Sequence, residues 1–235
     1  MLLTPFLLDR KFLPKVWGGR AFESVLGMPL PAGGAIGETW ELYHRPDESS
    51  RLRGSDRTLA DLMREMPTEL LGRGVKPGRG GLFPLLLKFI DAREALSVQV
   101  HPDDVQAQAD DDSGKDEAWV VLHAGPSARI IRGLRPGVER AEFEANAHTA
   151  EVEKLLWMFT PRAGDCVHLP PGTVHALGPD VQELDDVLLV GRDAGEVGAV
   201  QDGVLQRAGL EQRLSARDVG DAVVRANVEV ESRRA

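Results

Sequence analysis

The amino-acid sequence predicts a mostly β fold with a few short helices, arranged as an antiparallel sandwich or barrel. Two observations carry this prediction. From Phe83 onward, short runs rich in Val, Leu, Ile and Trp follow one another closely, and Gly, Pro and Asp residues separate them. This is the pattern of short strands joined by turns. The clearest helical spacing of apolar residues, in contrast, is confined to a stretch near residues 58–71.

The region before the strands combines irregular chain with one helical insertion. The first 57 residues are rich in Gly and Pro, which predicts loops and short strands. From Thr58 the apolar residues follow helical spacing, and Thr58 with Asp61 resembles a capping box. Pro67 then predicts that the helix ends or kinks near Glu65 and resumes as a second turn through Leu71.

The predicted strands follow in close succession after this insertion. One further stretch between them, ERAEFEANAHTAEVEKLL, is predicted to be helical. The strand-like segments are FPLLLKFIDA, EALSVQVHPDD, EAWVVLHAG, SARIIRGL, KLLWMFTPRAGDCVHLPPG and TVHALG.

Composition excludes several classes of function. The net charge is −9, and an acidic surface disfavours nucleic acids and anionic membranes as partners. The single cysteine, Cys166, excludes a disulfide framework and a cysteine-rich metal site. There is no apolar run of the roughly 18 residues that a membrane span needs, and the first residues do not resemble a signal peptide. We therefore expect a cytoplasmic protein; the sequence does not indicate its oligomeric state.

Polar residues at alternate positions of one predicted strand suggest a metal site. In EALSVQVHPDD, strand alternation places Gln99 and His101 on one face. It places Leu96, Val98 and Val100 on the other face. Two donor side chains two residues apart on a strand can reach into the same cavity.

The neighbouring segments offer further donors with the same geometry. Alternation in GKDEAWVVLHAG puts Lys115, Glu117, Trp119 and Val121 on one face, and His175 lies just beyond a Pro-Pro-Gly turn. Histidine, carboxylate and amide ligands suit a divalent metal that keeps an exchangeable position, which fits zinc but also iron or manganese. Any one of these residues alone would more often be structural, so the hypothesis rests on their joint pattern. The other four histidines are predicted to be structural: His44, His123, His148 and His168.

The motifs resemble those of a known family. GDCVHLPPGTVH fits the second cupin motif, with Gly164, Pro170, Gly172 and His175 at the motif positions. QVHPDD followed by GKDEAW is similar to the first motif of the type I mannose-6-phosphate isomerases. The resemblance extends over residues 1 to about 180. Other segments similar to the family, in the same order, are KVWGG, GETWEL and PLLLKFIDA.

This resemblance implies a fold, a cofactor and an activity. Residues 1–180 would form a cupin (jelly-roll) barrel with a metal site and the helical insertion at about 58–71. The reaction would be the interconversion of mannose 6-phosphate and fructose 6-phosphate through a cis-enediol. Lys115 would act as the catalytic residue, in phosphate contact or proton handling. One Zn²⁺ per chain would be bound by Gln99, His101, Glu117 and His175.

The chain departs from the family after His175. All twelve aromatic residues, all six lysines and all six histidines lie before residue 176. The family continues with a strand similar to LEIQQ-SD-TYR, whose arginine lies near the reacting centre, whereas this chain reads VQELDDVLLVGRDAGEV. Arg192 falls three residues short of the expected spacing. Residues 181–235 are therefore expected to be a divergent segment, through true divergence or a shifted reading frame.

Three functions remain open from the sequence. The first is a zinc-dependent sugar-phosphate isomerase. The second is a catalytically weak or inactive cupin that binds a metal and a sugar phosphate but lacks the arginine strand. The third is an iron cupin oxygenase, against which stands Gln99, because iron cupins commonly offer another histidine at that position.

Overall fold

The computed structural model describes residues 5–107, 113–177 and 186–191, the last range as backbone only. The described chain is mostly β, as predicted, and its helices are short. The strands are β1 Lys11–Leu13, β2 Glu38–Leu42, β3 Leu85–Ile90, β4 Asp116–Val121, β5 Ile130–Leu134, β6 Leu156–Phe159, β7 Cys166–Leu169, β8 His175–Leu177 and β9 Asp186–Gly191. The helices are α1 Ala21–Leu26, α2 Leu59–Glu65, α3 Pro67–Leu71, α4 Asp104–Ala107, α5 Arg140–Asn146 and α6 Val152–Leu155.

The strands form two antiparallel sheets. One has six strands in the order β1-β2-β3-β9-β4-β7, and the other has three in the order β6-β5-β8. The two sheets pack against each other, because one apolar cluster draws buried side chains from both. The six-stranded sheet contributes Ile90, Trp119, Val121, Val167 and Leu169, and the three-stranded sheet contributes Ile130 and Leu177.

The helical insertion has the predicted form. The Thr58 side chain accepts a hydrogen bond from the Asp61 N–H, and the Asp61 carboxylate accepts one from the Thr58 N–H, which completes the capping box of α2. The helix ends at Glu65 and α3 begins at Pro67. Helix α1, within the Gly- and Pro-rich start, was not predicted. Within the residues that the structure describes, no helix has the length and apolar character to cross a bilayer.

Two of the family-like segments near the start pack closely on each other through glycines. A Cβ atom on Gly18 would lie 2.5 Å from the Gly37 backbone nitrogen. A Cβ atom on Gly37 would lie 2.5 Å from the Lys15 side chain and 2.7 Å from the ring of Trp17. KVWGG and GETWEL therefore need these glycines so that the two backbones can approach.

The prediction of a regular strand in EALSVQVHPDD is wrong. The segment is extended but pairs with β8 only at an isolated bridge, between Gln99 and His175. The Leu96 N–H donates to the Leu177 carbonyl, so three residues of this segment span two residues of β8 and the alternation breaks. Leu96 packs against the apolar cluster between the sheets, whereas Val98 and Val100, on the side opposite Gln99, are 41% and 55% exposed.

Part of the segment predicted to be divergent joins the larger sheet. The β9 backbone lies between β3 and β4, with Leu85 opposite Gly191 on one side and Asp116 opposite Gly191 on the other. The rest of the tail, including Arg192, lies outside the described residues. The boundary at residue 180 stays a prediction.

Candidate metal centre

Three of the predicted ligands converge between the two sheets. Potential ligand atoms of His101, Glu117 and His175 all lie within 4.8 Å of one another. Glu117 Oε2 is 3.2 Å from His101 Nε2 and 3.0 Å from His175 Nε2. The side chains of Glu117 and His175 are 3% and 5% exposed, so the cluster is closed to bulk water on those two sides.

Local structure explains how these distant residues meet. In β4 the alternation is as predicted: Glu117, Trp119 and Val121 are buried. Gln99 and His175 exchange two backbone hydrogen bonds of 2.8 Å each. Two residues after Gln99, the carbonyl of His101 accepts a 2.8 Å hydrogen bond from the N–H of Gly172 in the Pro-Pro-Gly turn. These bonds join the extended segment to the turn and to β8.

The hydrogen bonding of His175 determines which ring nitrogen faces the cluster. Its Nδ1 lies 2.8 Å from the Thr173 carbonyl oxygen. A carbonyl can only accept, so Nδ1 carries the proton and, in the neutral ring, Nε2 presents a lone pair. The edge-to-face contact with Trp119, at 5.5 Å between ring centroids, supports the ring from one side. A backbone carbonyl that orients a histidine in this way is typical of metal sites.

Glu117 shows that the cluster fits a cation. Its buried Oε2 makes no hydrogen bond within the described structure, although two histidine nitrogens lie close to it. An acceptor facing the lone pair of a neutral imidazole is repelled unless a positive charge lies between them. Burial alone would raise the pKa of Glu117, and the neighbouring Lys115 ammonium opposes this by favouring the ionised carboxylate.

Lys115 lies in contact with the same cluster. Its Nζ forms an ion pair with Glu117 Oε1 and lies 3.0 Å from His101 Nε2. Burial lowers the pKa of Lys115 below its usual value, and the nearby charge of Lys88 lowers it further, while Glu117 opposes both. A lysine in this position can hold a proton beside a bound ligand and release it more readily than a surface lysine.

A second charged group lies near Lys115. Glu38 is buried, with Oε1 3.2 Å from Lys88 Nζ and Oε2 3.9 Å from Lys15 Nζ. Trp40 Nε1 donates a 2.9 Å hydrogen bond to Oε2. These lysine charges and hydrogen bonds overcome the effect of burial and keep the pKa of Glu38 below its usual value. Sequence reasoning did not single out Glu38, although the GETWEL motif contains it.

The remaining predicted ligand, Gln99, is less clearly placed. Its backbone lies directly opposite His175, so the two side chains leave the same side of the bridge. The Gln99 residue is exposed and its side chain makes no hydrogen bond within the described residues. Its role as a ligand stays a prediction. His44 and His168 make ordinary contacts instead, with the Phe83 N–H and with Asp116.

Comparison with known proteins places this site in a family context. Residues 6–119 match the family described as phosphomannose isomerase type I, catalytic domain. This range contains His101, Lys115 and Glu117, and ends before His175. The matched range thus includes two of the three converging groups.

Individual relatives extend the similarity further along the chain. The mannose-6-phosphate isomerase of Streptococcus mutans is 31% identical over 188 residues, which is 78% of this chain and 57% of that protein. Mannose-6-phosphate isomerase ManA of Bacillus subtilis is 32% identical over 190 residues, covering 79% of this chain and 58% of that protein. The matched part of this chain thus spans a little over half the length of these relatives.

The fold is shared with a solved structure. The crystal structure of the mannose 6-phosphate isomerase from Bacillus subtilis superimposes with a TM-score of 0.69 at 31% identity. The superposition covers 81% of this chain and 60% of that one.

Proposed function

We propose that this chain, a relative of the type I phosphomannose isomerases in sequence and in fold, is a metal-dependent isomerase that interconverts mannose 6-phosphate and fructose 6-phosphate. One observation carries the proposal. In the described structure, a buried carboxylate oxygen without a hydrogen bond meets two histidine nitrogens at 3.0 and 3.2 Å. Such a cluster fits a bound cation, and sugar isomerisation is a reaction that a bound cation can assist.

The donor set supports one divalent ion per chain, which we propose to be zinc. His101, Glu117 and His175 would bind it, with Gln99 as the predicted fourth ligand. Nitrogen and carboxylate donors without thiolates are typical of catalytic zinc sites that keep a position open for substrate. When bound, the ion would act as a Lewis acid toward the carbonyl and hydroxyl oxygens of the open-chain sugar.

The protein residues would manage the protons of the reaction. Aldose–ketose isomerisation removes a proton from C2 and returns one to C1, while a second proton moves between the two oxygens through a cis-enediol. Lys115, beside the cluster and with a lowered pKa, is proposed to hold and transfer a proton at these oxygens. The near-complete burial of Glu117 and His175 would limit water at the reacting atoms.

The same relationship supports a finer description of the fold. We propose that the two packed sheets are the two halves of a cupin barrel within residues 1–180, that residues 58–71 are an insertion, and that residues 181–235 are a divergent segment. The partner would be a small sugar phosphate. The cytoplasmic location stays a prediction.

A second candidate function is a cupin that binds a metal and a sugar phosphate with little or no turnover. The specific observation in its favour is the stretch after His175, where the Tyr-Arg motif of the family is missing in register. The two functions differ in chemistry and not in binding, so binding measurements alone do not separate them.

Metal analysis combined with a coupled assay for fructose 6-phosphate tests the proposal. Chelator-treated protein should be inactive, and zinc should restore turnover at one ion per chain. Zinc binding without turnover would support the weak or inactive cupin. Iron loading with oxygen uptake would support the oxygenase and overturn the isomerase.

A further inference from the structure

We propose that Arg132 of β5 contacts the phosphate group of the substrate. The inference rests on the proposed function and deepens it, because it names the residue that would recognise the anionic end of the sugar phosphate. The sequence shows no arginine in the family register after His175. The structure, however, places an arginine of an earlier strand, β5, on the sheet face that carries the His175 side chain.

Strand register places Arg132 beside the candidate metal centre. Arg132 lies directly opposite His175 in the β5–β8 pair. Residues that oppose each other in an antiparallel pair have their side chains on the same face, about 5 Å apart at Cβ. Two residues earlier, Ile130 opposes Leu177, and both lie in the apolar cluster between the sheets. Arg132 therefore leaves β5 on the inner face, next to a predicted metal ligand.

A bulge follows Arg132 on the other side of the strand. The β5–β6 register shifts between Ile131 and Leu134, and Gly133 has a φ of 84°. A Cβ atom on Gly133 would meet nothing within 4 Å, so the glycine is required for its backbone conformation and not for space. Bulges of this kind occur near active sites, where they redirect a side chain.

One edge of the Arg132 guanidinium is fixed and the other is available. Its Nε donates a 2.9 Å hydrogen bond to the carbonyl of His168, near the end of β7. The next residue, Leu169, opposes Glu117 in the β4–β7 pair, so the fixed edge lies near the strand that carries a predicted ligand. Among the residues that the structure describes, the two Nη groups of Arg132 make no hydrogen bond and have no carboxylate within 4.0 Å.

The two neighbouring lysines each have a carboxylate partner, whereas Arg132 has none among the described residues. Lys115 is paired with Glu117, and Lys88 is paired with Glu38. Arg132, half-buried and without a carboxylate partner in the described part of the chain, keeps its positive charge for a ligand. A guanidinium presents two parallel N–H donors, which match the oxygens of a phosphate. In a chain of net charge −9, binding a phosphate dianion needs such a local cation.

The test compares two arginines that make the same kind of backbone contact. Arg132→Gln removes the guanidinium of interest, and Arg135→Gln is the control. In the unaltered chain, Arg135 Nε donates to the Leu156 carbonyl at 3.1 Å, but this arginine is exposed at the end of β5. Binding of inorganic phosphate to the zinc-treated full chain is measured by calorimetry, with KM and kcat for mannose 6-phosphate and the zinc content alongside.

We expect Arg132→Gln to weaken phosphate binding and raise KM by about 10- to 100-fold, which is the effect of losing a charged hydrogen bond. Zinc content and kcat should stay close to those of Arg135→Gln. Phosphate binding that is unchanged in Arg132→Gln would overturn the inference and leave Arg132 as a tether of β7. Phosphate binding is measured without turnover, so the two proposals can fail separately. If the unaltered chain binds phosphate but is inactive, and Arg132→Gln loses phosphate binding, the isomerase is refuted and the phosphate contact is supported.

A second measurement uses the unaltered chain, in case Arg132→Gln does not fold. Phenylglyoxal modifies accessible arginines, and mass spectrometry locates the modified residues. Inorganic phosphate should protect Arg132 by about tenfold in rate, as expected for a site that is mostly occupied, and should not protect Arg135. Equal modification of Arg132 with and without phosphate would contradict the proposal.

Discussion

Two histidine–carboxylate pairs lie on opposite faces of β4, in two different surroundings. On the outer face, His168 Nε2 lies 2.8 Å from Asp116 Oδ1, and the two side chains are 36% and 32% exposed. On the inner face, His175 Nε2 lies 3.0 Å from Glu117 Oε2, and the side chains are 5% and 3% exposed. Asp116 and Glu117 are neighbours in sequence, so strand alternation alone sends one carboxylate outward and the other inward.

The difference shows that burial, and not the type of the two residues, makes the inner pair a candidate metal site. On the outer face, water can hydrogen-bond to the polar atoms of His168 and Asp116 that do not contact each other. Exposed pairs of this kind contribute about 0–1 kcal/mol to the free energy of unfolding. Inside, a carboxylate without water costs several kcal/mol unless charges or hydrogen bonds compensate it. Lys115 compensates one oxygen of Glu117, and the proposed cation would compensate the other. Four predictions test this comparison.

The largest effect is expected from neutralising the inner carboxylate. Glu117→Gln should lower kcat/KM in the fructose 6-phosphate assay by on the order of 10³-fold or more. The proposed metal would be lost, and with it several kcal/mol of transition-state stabilisation by a Lewis acid. The matched outer change, Asp116→Asn, should leave kcat/KM within about threefold of the unaltered chain, as is usual for exposed charges. Equal losses in the two variants would show that the faces do not differ as described.

Removing the lysine of the inner face should separate proton transfer from metal binding. Lys115→Met should lower kcat by about 10²–10⁴-fold, the usual contribution of a positioned acid or base, while the zinc content stays unchanged. Steady-state kinetics and metal analysis on the same preparation check this. If zinc and activity disappear together, Lys115 supports the metal cluster and has no separate role in proton transfer.

A third carboxylate, Asp61, is stabilised as an anion by hydrogen bonds and by an arginine. Hydrogen bonds from the Thr58 backbone and side chain, with Arg64, lower the pKa of Asp61 to about 2. Because the folded-state pKa lies below the unfolded value near 4, the stabilisation is fully present above that value and is lost as pH falls toward 2.

The variant Asp61→Asn should therefore be less stable than the unaltered chain at pH 6, and the gap in melting temperature should narrow as pH falls from about 4 toward 2. Thermal unfolding of both metal-free proteins at several pH values measures it. A gap that is constant over this range would show that the Asp61 charge does not contribute. Zinc should not change the gap, which separates this carboxylate from Glu117.

The smallest effect is expected on the outer face. His168→Gln should change the free energy of unfolding by less than about 1 kcal/mol, because water replaces the lost contact with Asp116. Zinc content and kcat should stay within about twofold. A loss of zinc in this variant would mean that the outer pair supports the site through β7.

Strand alternation predicted the inner face of β4 from sequence, because Glu117, Trp119 and Val121 follow a strictly local rule. The capping box of α2 was predicted for the same reason. The meeting of His101, Glu117 and His175 depends on strand pairing over more than 70 residues. Alternation does not determine such pairing; the joint pattern of donors suggested a shared site, and the family resemblance assigned its ligands.

The errors also have physical causes. EALSVQVHPDD was predicted to be a regular strand, but an extra residue between Leu96 and Gln99 breaks its regular pairing with β8. Helix α1 was missed because it has six residues in a Gly- and Pro-rich region. The segment SARIIRGL contains a glycine within a strand pattern, which indicates a bulge beside Arg132. The sequence did not show that the partner strand would be β8, which places Arg132 opposite His175.

Zinc titration of chelator-treated protein tests the central claim most directly. The account predicts one tightly bound zinc per chain in the unaltered protein and in Asp116→Asn. It predicts at least 10-fold weaker binding in Glu117→Gln, because the loss of even an outer-shell contact weakens a metal site by about that factor. Zinc binding of equal strength in Asp116→Asn and Glu117→Gln, or its absence from the unaltered chain, would contradict it.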